Sequence, residues 1–167
     1  TLDISSDSLS ESLSVVLNGL DTNYQPIQET VTLSGATPVT TLNSLKRLND
    51  MTCTSENVGT ITASKGVTVG KVDSGQGKSM SGIYTVPAGH TAFLLCGDAT
   101  AKKGTDAQVR FYARYLGMGF VVAHMAEVYE NSYRYDFPVP IMLPEKTDLD
   151  VRVFSVESSG TRVTCNF

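Results

Sequence analysis

The chain has 167 residues, 41% of them hydrophobic and 18% charged, with a formal net charge of −4. This length suits one domain with its own core, and the acidic balance disfavours a non-specific nucleic-acid binder, which would carry a basic excess and a clustered patch. The charged share is below the roughly one quarter usual for soluble proteins, and no apolar run reaches the about 18 residues of a membrane-spanning helix.

Residues 1–14 (TLDISSDSLSESLS) are polar, Ser-rich and acidic, with isolated apolar positions. They read as an arm or an edge strand. They lack the basic start and apolar centre of a signal peptide. Residues 15–167 then read as a single β-sandwich domain. Thr41–Asn49 sets Leu42, Leu45 and Leu48 three apart, which suits a short helical turn, a strand or a loop. In Val86-Pro87-Ala88-Gly89, Pro87 fits the second and Gly89 the fourth position of a type I turn. That turn joins GIYT to TAFLLC, whose AFLLC run has the look of a core strand.

Beyond it the pattern is period 2. In QVRFYARYL, residues Val109, Phe111, Ala113 and Tyr115 share one strand face and Arg110, Tyr112 and Arg114 the other. Phe120–Glu130 carries good helix formers, but a strand gives the simpler meander and is preferred. Its Val121, Ala123, Met125, Glu127 and Tyr129 alternate with Val122, His124, Ala126 and Val128. Tyr133, Tyr135 and Phe137 alternate with Arg134 and Asp136. Leu149, Val151 and Val153 alternate with Asp150 and Arg152, and Val163 and Cys165 oppose Arg162 and Thr164. Turn chemistry punctuates these runs at NGLDTN, LSGATP, DSGQG, VPAG, KKGTD, LGMG, PVP and ESSG. The expectation is an all-β fold, an antiparallel, jelly-roll-like β-sandwich with an N-terminal arm or edge strand.

The residues that carry chemistry are sparse. Cys53, Cys96 and Cys165 form no CxxC pair and read as free thiols, with Cys96 buried and inert. His90 follows the VPAG turn and should be exposed, while His124 lies mid-strand. No metal-binding His spacing and no GxSxG motif occurs. Gly75-Gln76-Gly77-Lys78-Ser79 resembles a phosphate loop only in part, because position 72 is Val where the pattern requires Gly. A hairpin loop is the better reading. Asp148 and Asp150 share a strand face without a calcium-loop pattern and read as solvated strand ends. The absence of Trp speaks against a carbohydrate-stacking groove. Tyr112, Tyr115, Tyr129, Tyr133, Tyr135 and Phe137 form an aromatic group suited to core and subunit contact. No catalytic residue, cofactor or metal is expected, and the domain reads as a binding or assembly module, not an enzyme.

Three segments together carry a resemblance. GLDTNYQPIQETVTLSGATPVTT supplies Gly19, Leu20, Asp21, Tyr24, Glu29, Val31, Leu33, Gly35, Val39 and Thr41 of a recurring pattern. GKSMSGIYTVPAGHTAFLL and FPVPIMLPEKTDLDVRV follow in the same order. In this the chain resembles virion structural proteins of tailed bacteriophages. The resemblance implies a jelly-roll-like protein of the particle, a capsid decoration (cement) protein bound to the major capsid protein at the virion surface. It would be made in the host cytoplasm, assemble as a homotrimer, and bind neither nucleic acid nor membrane. The interface expected for shell or sister copies comprises Leu2, Ile4, Leu9 and Leu13 with Tyr112, Tyr115, Tyr129, Tyr133 and Tyr135. A tail or neck adaptor, or fibre-attachment component, is the alternative, and a host-glycan-binding module the second.

Overall fold

The computed structural model describes residues 1–102, 106–129, 132–156 and 163–167. The turns expected at KKGTD and ESSG fall on 103–105 and 157–160, outside the described residues, as do Glu130 and Arg162. The described chain is all-β, with no helix, and every strand pairing is antiparallel. It divides into two compact units, Thr1–Ser81 and Gly82–Phe167, where the composition suggested an arm and one domain.

In the first unit, β1 (Asp3–Ser6), β4 (Val39–Thr40), β6 (Ile61–Ser64) and β7 (Thr68–Val72) form a sheet in the order β4-β1-β6-β7. The second sheet is β3-β2-β5, from β2 (Ser14–Leu20), β3 (Pro26–Thr32) and β5 (Arg47–Cys53). Both sheets feed one core, which includes Ile4, Ile61 and Val72 from one and Val15, Leu17 and Met51 from the other. That is the arrangement of a β-sandwich. The first residues are therefore neither an arm nor an edge. Leu2 and Ile4 alternate with Asp3, bury in this core, and place β1 between two partners.

Local polar chemistry fixes the connections. The β2–β3 turn closes on Asp21, whose Oδ1 accepts the N–H groups of Asn23 and Gln25 at 2.7 and 2.9 Å. Tyr24 takes a positive φ of 63° there, an uncommon conformation for a side chain of this size. Burial of the ring under Lys46, whose Nζ lies 4.5 Å from its centroid, holds it. Thr41–Lys46 is a loop leading into β5, not a helix, because its backbone donors are taken from outside the segment. Glu29 accepts N–H bonds from Leu42 and Asn43, and Leu20 accepts that of Lys46. The Gly75–Ser79 segment docks along β5 through Cys53 N–H to Gly77 O and reciprocal Met51–Ser79 bonds.

In the second unit, the strands are β8 (Ile83–Thr85), β9 (Ala92–Ala101), β10 (Asp106–Arg114), β11 (Val121–Tyr129), β12 (Ser132–Leu143), β13 (Asp148–Val156) and β14 (Val163–Asn166). They make sheets β11-β10-β13-β8 and β12-β9-β14. The pairing is nested: β10 with β11, β9 with β12, and β8 with β13. This is the pattern of one long hairpin folded over on itself. The core between the sheets is built largely of small residues, Ala99, Ala101 and Ala107 with Val109, Phe111 and Val128. On β11 the even positions Ala126 and Val128 bury, as period 2 requires.

Local expectations are corrected at two places. AFLLC is not a core strand, since Phe93 and Leu95 face solvent and Cys96 is only half-buried. The cause lies in its partner. Between the pairs Asp136–Cys96 and Ile141–Leu94, four residues of β12 oppose Leu95 alone. Pro138 and Pro140 within that stretch have no N–H to give a ladder, and the resulting bulge turns the strand. The VPAG turn is displaced by one residue. His90 N–H bonds Pro87 O, and Gly89 holds φ +76° at the third position. His90 is exposed.

Candidate functional site

The outer face of the four-stranded sheet in the second unit collects a group of interacting polar and aromatic side chains. Its rows follow from strand register. Arg110 of β10 lies between Met125 of β11 and Arg152 of β13, and Tyr112 lies between Val122 and Asp150. The next row holds Arg114 beside Asp148.

Each guanidinium has a carboxylate or amide and an aromatic ring. Arg114 Nε donates to Asp148 Oδ2 at 2.8 Å, and its Cζ lies 4.4 Å from the Phe120 centroid. Asp148 is buried and also accepts the Thr85 hydroxyl at 2.7 Å. Arg152 Nε donates to Asp150 Oδ2 at 2.8 Å and its Cζ lies 5.0 Å from the ring of Tyr112. The hydrogen bond to Asp150 first, and its charge as well, raise the Arg152 pKa above its ordinary value. Arg110 Nε donates to Gln108 Oε1 at 2.7 Å and its Cζ lies 3.3 Å from the Phe154 centroid. Gln108 in turn donates to Glu127. Planar guanidinium groups stacked on rings and forked onto carboxylates are pre-organised, so little side-chain entropy remains to be lost on contact. Arg, aromatic and Met side chains are the types enriched at the core of a protein interface, while Asp148, Asp150 and Glu127 among them are of types depleted there.

A second surface lies on the three-stranded sheet. Phe93 and Met142 oppose each other across β9–β12 and are 59% and 62% exposed. Leu95 follows two residues along at 60%, and Val139, in the bulge opposite it, reaches 78%. Single exposed apolar residues are ordinary, but a contiguous group marks a contact.

A third cluster surrounds His124. Its Nε2 lies 3.0 Å from the Tyr133 hydroxyl, and its ring stacks on Tyr135 at 5.0 Å and contacts Phe111 and Phe137 at 5.9 Å. These rings join β11 to β12. Beside them a hollow of about 30 Å³, lined by Phe111, Phe137, Ile141 and Leu143 among others, has room for about two waters.

The residues expected at an interface are therefore dispersed. Leu2 and Ile4 are consumed by the first unit's core, and Leu13 packs partly against it. Leu9 is 87% exposed on a loop of that unit. Tyr112 sits on the Arg–aromatic face, Tyr129 is exposed at the end of β11, and Tyr115 is half-buried past β10. Tyr133 and Tyr135 belong to the His124 cluster. The sequence reading missed Arg110, Arg114 and Arg152 as site residues by treating them as a merely wet face. Their interleaving with Tyr112 and Phe154 was the available signal.

Among the described residues no group of three His, Cys, Asp or Glu side chains is placed to hold a metal ion. The three cysteines are free, and burial, with a nearby carboxylate, raises the thiol pKa of Cys53 and Cys165. No protein-family profile, curated protein or solved structure matches this chain.

Proposed function

We propose that this chain is a structural protein of a tailed-bacteriophage particle, a decoration protein that binds the outer surface of the major capsid shell and stabilises it without catalysing a reaction. The observation that carries this reading is the apolar patch of Phe93, Leu95, Val139 and Met142, held in solvent on one strand pair. Burying such side chains against a partner contributes about 25 cal/mol per Å² removed from water. The ordered resemblance of the three sequence segments supports the particle. The nested strand pairing of the second unit supports a jelly-roll-like module.

The mechanism is linkage. A protein that binds only the assembled shell stabilises that state by RT ln(1 + [L]/Kd), about 2.7 kcal/mol per site at a hundredfold excess over Kd. Summed over many sites, this resists the opening of the shell. Nanogold labelling of a tagged copy in purified particles tests the assignment. Label spread over the head, at hundreds of copies, fits a decoration protein; label confined to the tail or neck, at roughly 6 to 18 copies in a closed ring, fits the adaptor alternative.

A further inference from the structure

The Arg–aromatic face of the second unit has a symmetry in its register that the particle assignment does not use. One row reads Met125, Arg110, Arg152 across β11, β10 and β13; its neighbour reads Val122, Tyr112, Asp150. Arg110 and Arg152 stand side by side, and like charges directly opposite across strands are destabilising. Each is already held within its own chain, Arg152 by Asp150 and Arg110 by Gln108 and the Phe154 ring, and a further anion and ring above the row would offset the rest of that repulsion. The second row, on the same molecule, presents both.

We infer that this face docks on the same face of a second copy of the chain, through a two-fold axis lying between these rows and across the strands. That operation exchanges the rows while keeping strand over strand. Arg152 then meets Asp150 of the partner subunit, Arg110 meets the ring of Tyr112 of the partner subunit, and Met125 meets Val122 of the partner subunit. The contact is isologous, so each pair forms twice. The other in-plane two-fold, along the strands between β10 and β13, sets Arg110 against Arg152 of the partner subunit and is opposed by like charge.

The dimensions suit the pairing. β10, β11 and β13 each run nine residues, a patch roughly 30 Å by 15 Å before side-chain relief. Two sheets stacked face to face pack about 10 Å apart and twisted by about 30°, which the two central rows tolerate best.

Charge exchange tests the inference on the full chain, independently of any particle. Arg152→Asp places two acidic groups on each face, and Asp150→Arg places two basic ones. Sedimentation equilibrium should give the wild type twice the 17.9 kDa chain mass and each variant alone the single-chain mass. An equimolar mixture of the two variants should return the doubled mass, because the acidic pair on one variant then meets the basic pair on the other. Met125→Glu, remote from the ion pairs, should also give single chains and serves if either charge variant loses its strand signal in circular dichroism. A wild type that stays a single chain at about 100 µM, or that forms trimers, overturns the inference. So does a folded variant that keeps the doubled mass, or a mixture that stays monomeric.

Discussion

Oε2 of Glu11 accepts the backbone N–H of Gly59 at 2.8 Å, deep within the first unit. The same oxygen accepts Val58 N–H at 2.9 Å. One buried carboxylate thus satisfies two donors that no strand serves, and ties the loop after β1 to the loop before β6. Gly59 permits the approach, since a Cβ there would lie 2.5 Å from both Asp7 Oδ1 and Ser6 Oγ.

Glu11→Ala leaves the buried Gly59 N–H and the part-buried Val58 N–H without their acceptor. Unsatisfied buried donors cost about 1–3 kcal/mol each, so the variant should lose about 2–4 kcal/mol in urea unfolding. Glu11→Gln keeps a carbonyl oxygen and should lose less. Equal stability of Glu11→Ala and wild type contradicts the clamp.

Glu29 gives the first unit a pH dependence. Burial pushes its pKa up, but the N–H groups of Leu42 and Asn43 and the Asn43 amide together bring it below the ordinary 4.5. A carboxylate with a depressed folded-state pKa stabilises the fold fully above the unfolded value. It loses that contribution as pH falls through the folded one. The melting temperature should therefore fall as pH drops below about 4.5, and Glu29→Gln should flatten part of that slope. A Glu29→Gln profile parallel to wild type from pH 6 to pH 3 (buffers matched for ionic strength, about 0.1 M) contradicts this.

Gly97 sets the close approach of β9 to Phe111 in the second unit. A Cβ at Gly97 would lie 2.9 Å from Phe111 Cζ and 3.0 Å from Cε1. Gly97→Ala should cost about 1–3 kcal/mol by overpacking. Phe111→Leu should recover part of that loss in the double variant, a coupling that a double-mutant cycle in guanidinium reads directly. Additive losses would place the strain elsewhere.

Strand character was legible where one face is dry and the other wet. Val109, Phe111 and Ala113 bury as their alternation indicates, and β11 is a strand despite its helix formers. The first residues read as an arm or an edge strand, and the place of β1 inside its sheet was hidden because only Leu2 and Ile4 mark it among polar neighbours; a four-residue strand offers too short a period to recognise. The outward turn of Phe93 and Leu95 depends on a bulge in β12, a partner more than 40 residues away, which composition in AFLLC cannot report. The division into two units follows from how contacts close in space, and the 167-residue length alone pointed to one. For the candidate surfaces, Tyr112 was visible as an interface aromatic. Asp150 and Arg152, two residues apart on one strand face, were legible as neighbours from spacing alone, whereas the stacking of Arg110 on Phe154 depends on cross-strand register and on a bulge between Gln108 and Val109, neither of which can be read from spacing.

The central claim is that surfaces of the second unit grip other proteins. Co-sedimentation with purified shells lacking this protein tests it most directly, comparing wild type with the Phe93→Ser/Met142→Ser variant. The wild type should pellet to saturation, and the variant should bind at least tenfold more weakly, about 1.4 kcal/mol, with unchanged circular dichroism. A variant that binds with wild-type affinity, or a wild type that stays in the supernatant, contradicts the account.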